Sequence, residues 1–219
     1  MTPLFTIPLW IDLAAVAVGG VQGAMFAARF TDNRLDLLGV GIIGIVVGLG
    51  GGFGRDILLG LPPAALQSNG YLVVATAAAL LGMLLLRLFS RLGPVIIGLD
   101  ALTIGLFGAI GSSKALALGL PEVPAVFVGV VAAVGGSVVR DVMLNLPVAL
   151  MHVGSLYAVA AGAGTATLVV AATLGLPVGA AAIACVVVTT LIRVLAISFG
   201  WSLPEQRALA GWRSWRRRR

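Results

Sequence analysis

Apolar residues in this chain fall in long unbroken blocks rather than in the spaced stripes of an amphipathic helix. Seven blocks lie near residues 9–29, 37–58, 70–89, 94–113, 123–144, 154–175 and 177–199. Each is about 20 residues long, the length an α-helix needs to cross the hydrocarbon core of a bilayer. The last two meet at Gly175-Leu176-Pro177. Read as one helix they would overrun any normal membrane thickness, so a tight turn separates them. The pattern predicts an all-α integral membrane protein with seven transmembrane helices.

The blocks repeat. Gly50-Gly51-Gly52-Phe53-Gly54-Arg55-Asp56 runs on to Leu61-Pro62, and Gly135-Gly136-Ser137-Val138-Val139-Arg140-Asp141 runs on to Leu146-Pro147, 85 residues later. Upstream, Asp12 in the first block is echoed by Asp100 in the fourth, at an offset of 88. Each copy holds three spans. An odd number of crossings forces the second copy into the opposite orientation, giving an inverted pair about an axis in the membrane plane. The expected organisation is a first three-helix repeat at 9–89, an inverted second repeat at 94–175, a seventh transmembrane helix at 177–200 and a basic tail at 201–219.

Composition agrees with lipid as the main solvent. Hydrophobic residues make up 60% of the 219 and charged ones 10%, with mean hydropathy +1.12. Soluble domains carry about 25% charged residues. The cationic residues are one-sided. Arg29, Arg34, Arg87, Arg91, Arg207, Arg213 and the run Arg216 to Arg219 fall on one side of a seven-span topology, against Lys114 on the other. Cytoplasmic loops retain Lys and Arg. The expectation is a multi-pass protein of the cell inner membrane with its N-terminus outside and its C-terminus in the cytoplasm. The segment from Met1 to Trp10 has no Lys or Arg, so the first block reads as a retained span rather than a cleaved signal. The tail Trp212-Arg213-Ser214-Trp215 with its four arginines reads as an anchor on anionic lipid headgroups, not as a nucleic-acid contact.

The candidate chemistry sits on the doubled motif. Glycine disfavours a helix by about 1 kcal/mol relative to alanine. The clusters Gly50, Gly51, Gly52 and Gly135, Gly136, Ser137 are therefore expected to kink the second and fifth spans. Irregular backbone at membrane depth survives only inside protein or beside a water-filled cavity. Ionisable residues there are candidate functional groups: Arg55, Asp56, Arg140 and Asp141, with Asp12 and Asp100 as expected ion-pair partners. Adjacent helical residues point about 100° apart, so Arg55 is not expected to pair simply with Asp56. Two roles stay open for these groups, as bridges bracing the spans or as the lining of a path. Thr103, Ser112, Ser113 and Ser137 either ligate an ion through hydroxyls or bond between helices. Gly44, Gly48 and Gly52 recur every four residues and predict close helix contacts. No nucleophile–base or metal set is present, and the lone His152 reads as a surface imidazole beside a turn. Cys185, in an apolar run, reads as a core residue. An enzyme is not expected, and no cofactor.

The twice-occurring Gly-Gly, Arg-Asp and Leu-Pro motif on the second helix of each triplet resembles the prokaryotic trimeric intracellular cation (TRIC) channels, bacterial members of which carry two copies of a domain labelled glycine transporter. The likeness covers residues from about 9 to 170. It implies a homotrimer with a pore in each subunit, flanked by the second and fifth helices and conducting monovalent cations, K+ or Na+. It also implies a gating role for a basic residue on the fourth helix. Lys114 is the nearest match, although Ala115 and Leu116 follow it where animal members have Glu-Val. Inverted repeats equally serve secondary transporters, so a carrier of a small solute such as glycine is the alternative.

Overall fold

The computed structural model describes residues 8–29, 35–88, 93–151 and 156–203, all in helices and short connections. The helices are α1 (Leu9–Arg29), α2 (Leu37–Leu58), α3 (Ala64–Gln67), α4 (Asn69–Leu88), α5 (Gly93–Ala117), α6 (Glu122–Met143), α7 (Tyr157–Thr173) and α8 (Val178–Phe199). Six are long and apolar enough to cross a membrane, and α7 is a shorter apolar helix of 17 residues. The single turn α3 has no counterpart among the apolar blocks. Arg34, Arg91, His152 and everything from residue 204 on, including the expected Trp212–Arg219 anchor, lie outside the described residues.

The helix ends follow from local chemistry. Asp36 caps α2, its Oδ1 accepting the Gly39 N–H at 2.7 Å, which satisfies one of the donors a helix start leaves free. The motif after Arg-Asp closes α2 and α6 in the same way. Gly60 takes a left-handed φ of +66° and Leu61 N–H returns to Asp56 O at 2.9 Å. In the second copy Asn145 takes φ +53° and Leu146 N–H returns to Asp141 O at 2.8 Å. This six-to-one closure is the Schellman stop, for which glycine and then asparagine are the favoured residues. Pro62 and Pro147 follow at once, where a helix cannot resume.

Helices α1, α2 and α4 form one triplet and α5, α6 and α7 the inverted one; among the described helices α8 packs on α5 and α7. The triplets meet where α2 crosses α6. There an added Cβ on Gly51 would strike Ala132 O, and one on Gly136 would strike Val47 O. These are the same contact seen from either side of the pseudo-two-fold, since each pair maps onto the other at the offset of 85. Gly50 completes the crossing against Gly136, its Cβ position 2.9 Å from the Gly136 Cα.

The glycine clusters do not interrupt the helical backbone, so the irregular backbone expected there is not formed. The chain is continuous α-helix through Gly50-Gly51-Gly52 and through Gly135-Gly136-Ser137. The missing Cβ atoms are used to bring two backbones together, and intrahelical hydrogen bonds persist because lipid offers no substitute partner. Gly44 and Gly48 do the same for α1, lying under Gly20 O and Val16 O, so this spacing serves packing within one chain. Gly52 has only the tip of Arg55 nearby, at 3.9 Å.

Candidate functional site

Two clusters of buried charge lie at opposite ends of the α2–α6 pair. The first gathers Asp12 near the start of α1, Arg55 and Asp56 in the last turn of α2, Tyr71 at the start of α4 and Lys114 near the end of α5. Arg55 is 1% exposed and Asp56 0%. Arg55 Nε donates to Asp56 Oδ1 at 2.8 Å and Nη2 to Oδ2 at 3.1 Å, while Nη1 reaches Asp12 Oδ1 at 3.3 Å. Tyr71 Oη donates to Asp12 Oδ2 at 2.7 Å. Lys114 Nζ closes on Asp56 Oδ1 at 2.8 Å, and the Ala64 N–H donates to Asp56 Oδ2 at 2.9 Å. Two cations meet two carboxylates, so the cluster is neutral, and the hydrogen bonds offset the several kcal/mol that each buried ion costs.

The second cluster gathers Asp100 on α5, Arg140 and Asp141 on α6, Tyr157 on α7 and Arg193 on α8. Arg140 Nε and Nη2 both donate to Asp141 Oδ1, at 2.9 and 2.8 Å, and the Ala149 N–H donates to Oδ2 at 2.9 Å. Arg193 Nη2 donates to Asp100 Oδ2 at 2.8 Å, and Gln22 Nε2 and Tyr157 Oη approach Oδ1 at 3.3 Å. Tyr157 Oη also contacts Ser137 Oγ at 2.7 Å, and Ser137 Oγ donates to Val134 O. This cluster is neutral too, with a different second cation. The residue equivalent to Lys114 is Phe26, 88 positions earlier, whose ring stacks on Arg140 at 4.0 Å. The cation comes instead from α8, which has no copy in the first triplet, and Arg193 lies over the Tyr157 ring at 4.3 Å.

The space around the clusters differs. A cavity of about 370 Å³ opens beside the second, walled by Phe26, Ile96, Ile97, Leu146 and Ile197 as well as by the charged groups. The first cluster encloses only about 10 Å³. A further void of about 10 Å³ at the helix crossing shares Asp100, Gln22 and Tyr157 with the large cavity and Phe107 with the small one. Phe107, 2% exposed, stands between the two ends.

Of the residues singled out from sequence, Asp12, Arg55, Asp56 and Lys114 come together, as do Asp100, Arg140, Asp141 and Ser137. Gly50, Gly51, Gly135 and Gly136 lie between the clusters at the crossing. The expectation that adjacent Arg and Asp do not pair is overturned in both copies. In the last helical turn the arginine guanidinium closes on the neighbouring carboxylate, at 2.8 Å in each copy. Thr103 Oγ1 donates to Leu99 O in its own helix. Cys185 is fully buried, with Sγ 3.9 Å from Gly105 O. Sequence reasoning missed Gln22, Phe26, Tyr71, Tyr157 and the site role of Arg193. The tyrosines carried a readable signal, because the chain has only two and they stand 86 residues apart at the starts of equivalent helices.

Two triplets related by a pseudo-two-fold axis, with balanced charges buried at both ends of the central helix pair, define an inverted-repeat, multi-pass membrane protein. A family model described as glycine transporter matches it twice, over residues 9–87 and 97–173, and the chain belongs to that family. Among relatives, the UPF0126 inner membrane protein YadS of Escherichia coli strain K12 is 33% identical over 199 residues, 89% of this chain and 94% of that one. A UPF0126 membrane protein of Deinococcus radiodurans is 35% identical over 157 residues, 71% of this chain and 72% of its own length. The fold is that of the prokaryotic TRIC channels. One solved TRIC cation channel superposes with a TM-score of 0.80 at 30% identity, over 92% of this chain and 98% of that one. The TRIC trimeric intracellular cation channel orthologue from Rhodobacter sphaeroides gives 0.80 at 26%, over 88% and 98%.

Proposed function

We propose that this protein is a monovalent cation channel of the potassium type, assembled as a homotrimer in the cell inner membrane with a pore in each subunit between α2 and α6. The units are the triplets 9–89 and 94–175. The observation that carries the reading is the row of voids from the 370 Å³ cavity through the helix crossing to the sealed first cluster, in a fold shared with solved cation channels. Neutral charge clusters at both ends leave a cation without a net repulsive barrier, since each arginine is held by its own carboxylate. The lining is assigned to Gly50 to Gly52, Arg55, Asp56, Gly135, Gly136, Ser137, Arg140 and Asp141.

In this reading the structure is closed. Lys114 is the gating residue, because its bond to Asp56 brings the first cluster to neutrality. The helix ends facing the cavity include the α1 and α8 C-termini, the arginine-rich side, which we place in the cytoplasm with the N-terminus outside and the basic tail on anionic lipid.

Planar-bilayer recording of the purified protein in potassium against sodium gradients tests this. Ohmic unitary steps with potassium-biased reversal are expected. Lys114→Met should raise open probability several-fold by leaving the first cluster one charge more negative. Saturable solute exchange without unitary currents would replace the channel by the second reading, a carrier of a small solute such as glycine. That reading is favoured by the family description and by a cavity beside the second charge cluster alone, of a size that suits a small solute.

A further inference from the structure

Arg140 is 3% exposed and lines the 370 Å³ cavity, yet its hydrogen bonds are incomplete. Nε and Nη2 are taken by Asp141, and Phe26 covers one face of the guanidinium. Among the described residues Nη1 has no hydrogen-bond partner, and the Asp100 carboxylate stands 3.9 Å away, beyond hydrogen-bond reach. A buried donor of this kind is costly to leave unmet. The acceptors around it are already in use. Asp141 accepts three hydrogen bonds, and Asp100 accepts from Arg193 and Gln22, with the Tyr157 hydroxyl, whose proton goes to Ser137 Oγ, packed 3.3 Å from its Oδ1. What the cavity lacks is therefore an acceptor, not a donor or a cation. Its remaining walls, Ile96, Ile97, Leu146 and Ile197, are apolar, and its volume is in the range of small-molecule pockets, roughly 300–1,000 Å³.

We propose that this cavity binds a singly charged oxyanion carrying a short apolar tail, with the oxyanion on Arg140 Nη1 and the tail against the isoleucines. The site stands whether or not the protein conducts, because it rests on this cavity alone. Two sources share the chemistry: a free short-chain carboxylate, or the phosphate of an anionic phospholipid with part of its acyl chain.

The test is calorimetric titration of the purified full-length protein in neutral detergent with hexanoate and, separately, with hexanol. Native mass spectrometry after exposure to phosphatidylglycerol provides the lipid arm. Saturable binding of one hexanoate per chain is expected, at least about tenfold tighter than hexanol, because a charge-assisted bond is lost in the alcohol. Arg140→Lys keeps the charge but not the fork, and Ile197→Trp fills the space without touching the Arg140–Asp141 pair. Each should weaken binding about tenfold or more. Phosphatidylglycerol retention lost in the same two variants, with hexanoate inert, would assign the lipid source. Hexanol binding as tightly as hexanoate, variants binding like wild type, or no binding of either anion would overturn the proposal; the hexanol comparison decides even where a variant fails to fold.

Discussion

The two ends of the α2–α6 pair start from nearly the same residues and arrive at different states. Both hold Arg-Asp at a helix end, an aspartate from the first helix of the triplet, a tyrosine from the third, and a loop N–H returned to the motif carboxylate. At the first end Lys114 reaches across from the other triplet and the cluster seals. At the second, that position is Phe26, the balancing cation comes from α8, and a cavity is left open. A duplicated unit thus gives a symmetric frame, and asymmetry enters through one substituted position and one unduplicated helix. One end is closely packed, and the other leaves space beside its charges.

The sharpest break in this comparison is expected from removing the arginines. Arg55→Ala leaves Asp56 with Lys114 but Asp12 with no cation, only the Tyr71 hydroxyl, in a space of about 10 Å³, and losing one partner of a buried ion pair costs about 3–5 kcal/mol. Arg140→Ala should cost less, about 1–3 kcal/mol, because Asp100 keeps Arg193 and the cavity admits solvent beside Asp141. Thermal unfolding of the two variants in one detergent measures the gap. Equal losses would remove the distinction between a sealed and an open end.

Next come the glycines of the crossing, where symmetry rather than asymmetry is under test. Gly51→Ala and Gly136→Ala each drive a methyl into a backbone carbonyl, Ala132 O and Val47 O respectively. Overpacking of this kind costs about 1–3 kcal/mol. The two losses should match, and Gly52→Ala, with 3.9 Å to the tip of Arg55, should be near neutral. A tolerated Gly51→Ala would mean that the triplets do not meet there.

How much of this was legible in the chain depends on the kind of signal. The spans were readable because an unbroken apolar block of that length has few other uses, and the repeat because Arg-Asp and Leu-Pro recur at one spacing. Block ends were less so. The fourth block stops at residue 113 by hydropathy, yet α5 continues to Ala117, and the extra turn is what carries Lys114 to Asp56. Polar residues there look like a loop until the buried carboxylate they serve is in place. The glycine clusters misled for a related reason: propensity counts the local cost of a glycine, but the Gly51–Ala132 and Gly136–Val47 contacts are long-range gains. Arg193 was visible as a charge near the end of the last span, yet nothing local ties it to Asp100, 93 residues away.

The tyrosines divide the two ends more finely. Tyr71 Oη donates to Asp12 at 2.7 Å in the sealed cluster, so Tyr71→Phe leaves a buried carboxylate oxygen without that bond and should cost about 1.5–3 kcal/mol. Tyr157 contacts Ser137 Oγ at 2.7 Å and Asp100 at 3.3 Å, and Asp100 retains Arg193. Tyr157→Phe should cost about 1 kcal/mol, since the ring still lies under Arg193. Unfolding midpoints of the pair order the effects; a reversed order would place the tighter lock at the second end.

The smallest effect is set by the helix stops. Gly60 and Asn145 occupy the same left-handed position of the same closure, at φ +66° and +53°. Asparagine tolerates that region through its short polar side chain, whereas alanine meets its own Cβ there. Gly60→Ala should therefore cost about 1 kcal/mol, and Gly60→Asn only a few tenths, roughly the cap difference between these two residues. Nothing lies within 4 Å of a Cβ at Gly60, so the comparison isolates backbone conformation from packing. If alanine and asparagine proved equivalent at position 60, the left-handed stop would not be what turns Leu61-Pro62 back toward Asp56. The Ala64 N–H bond to that carboxylate would then have to hold the turn by itself.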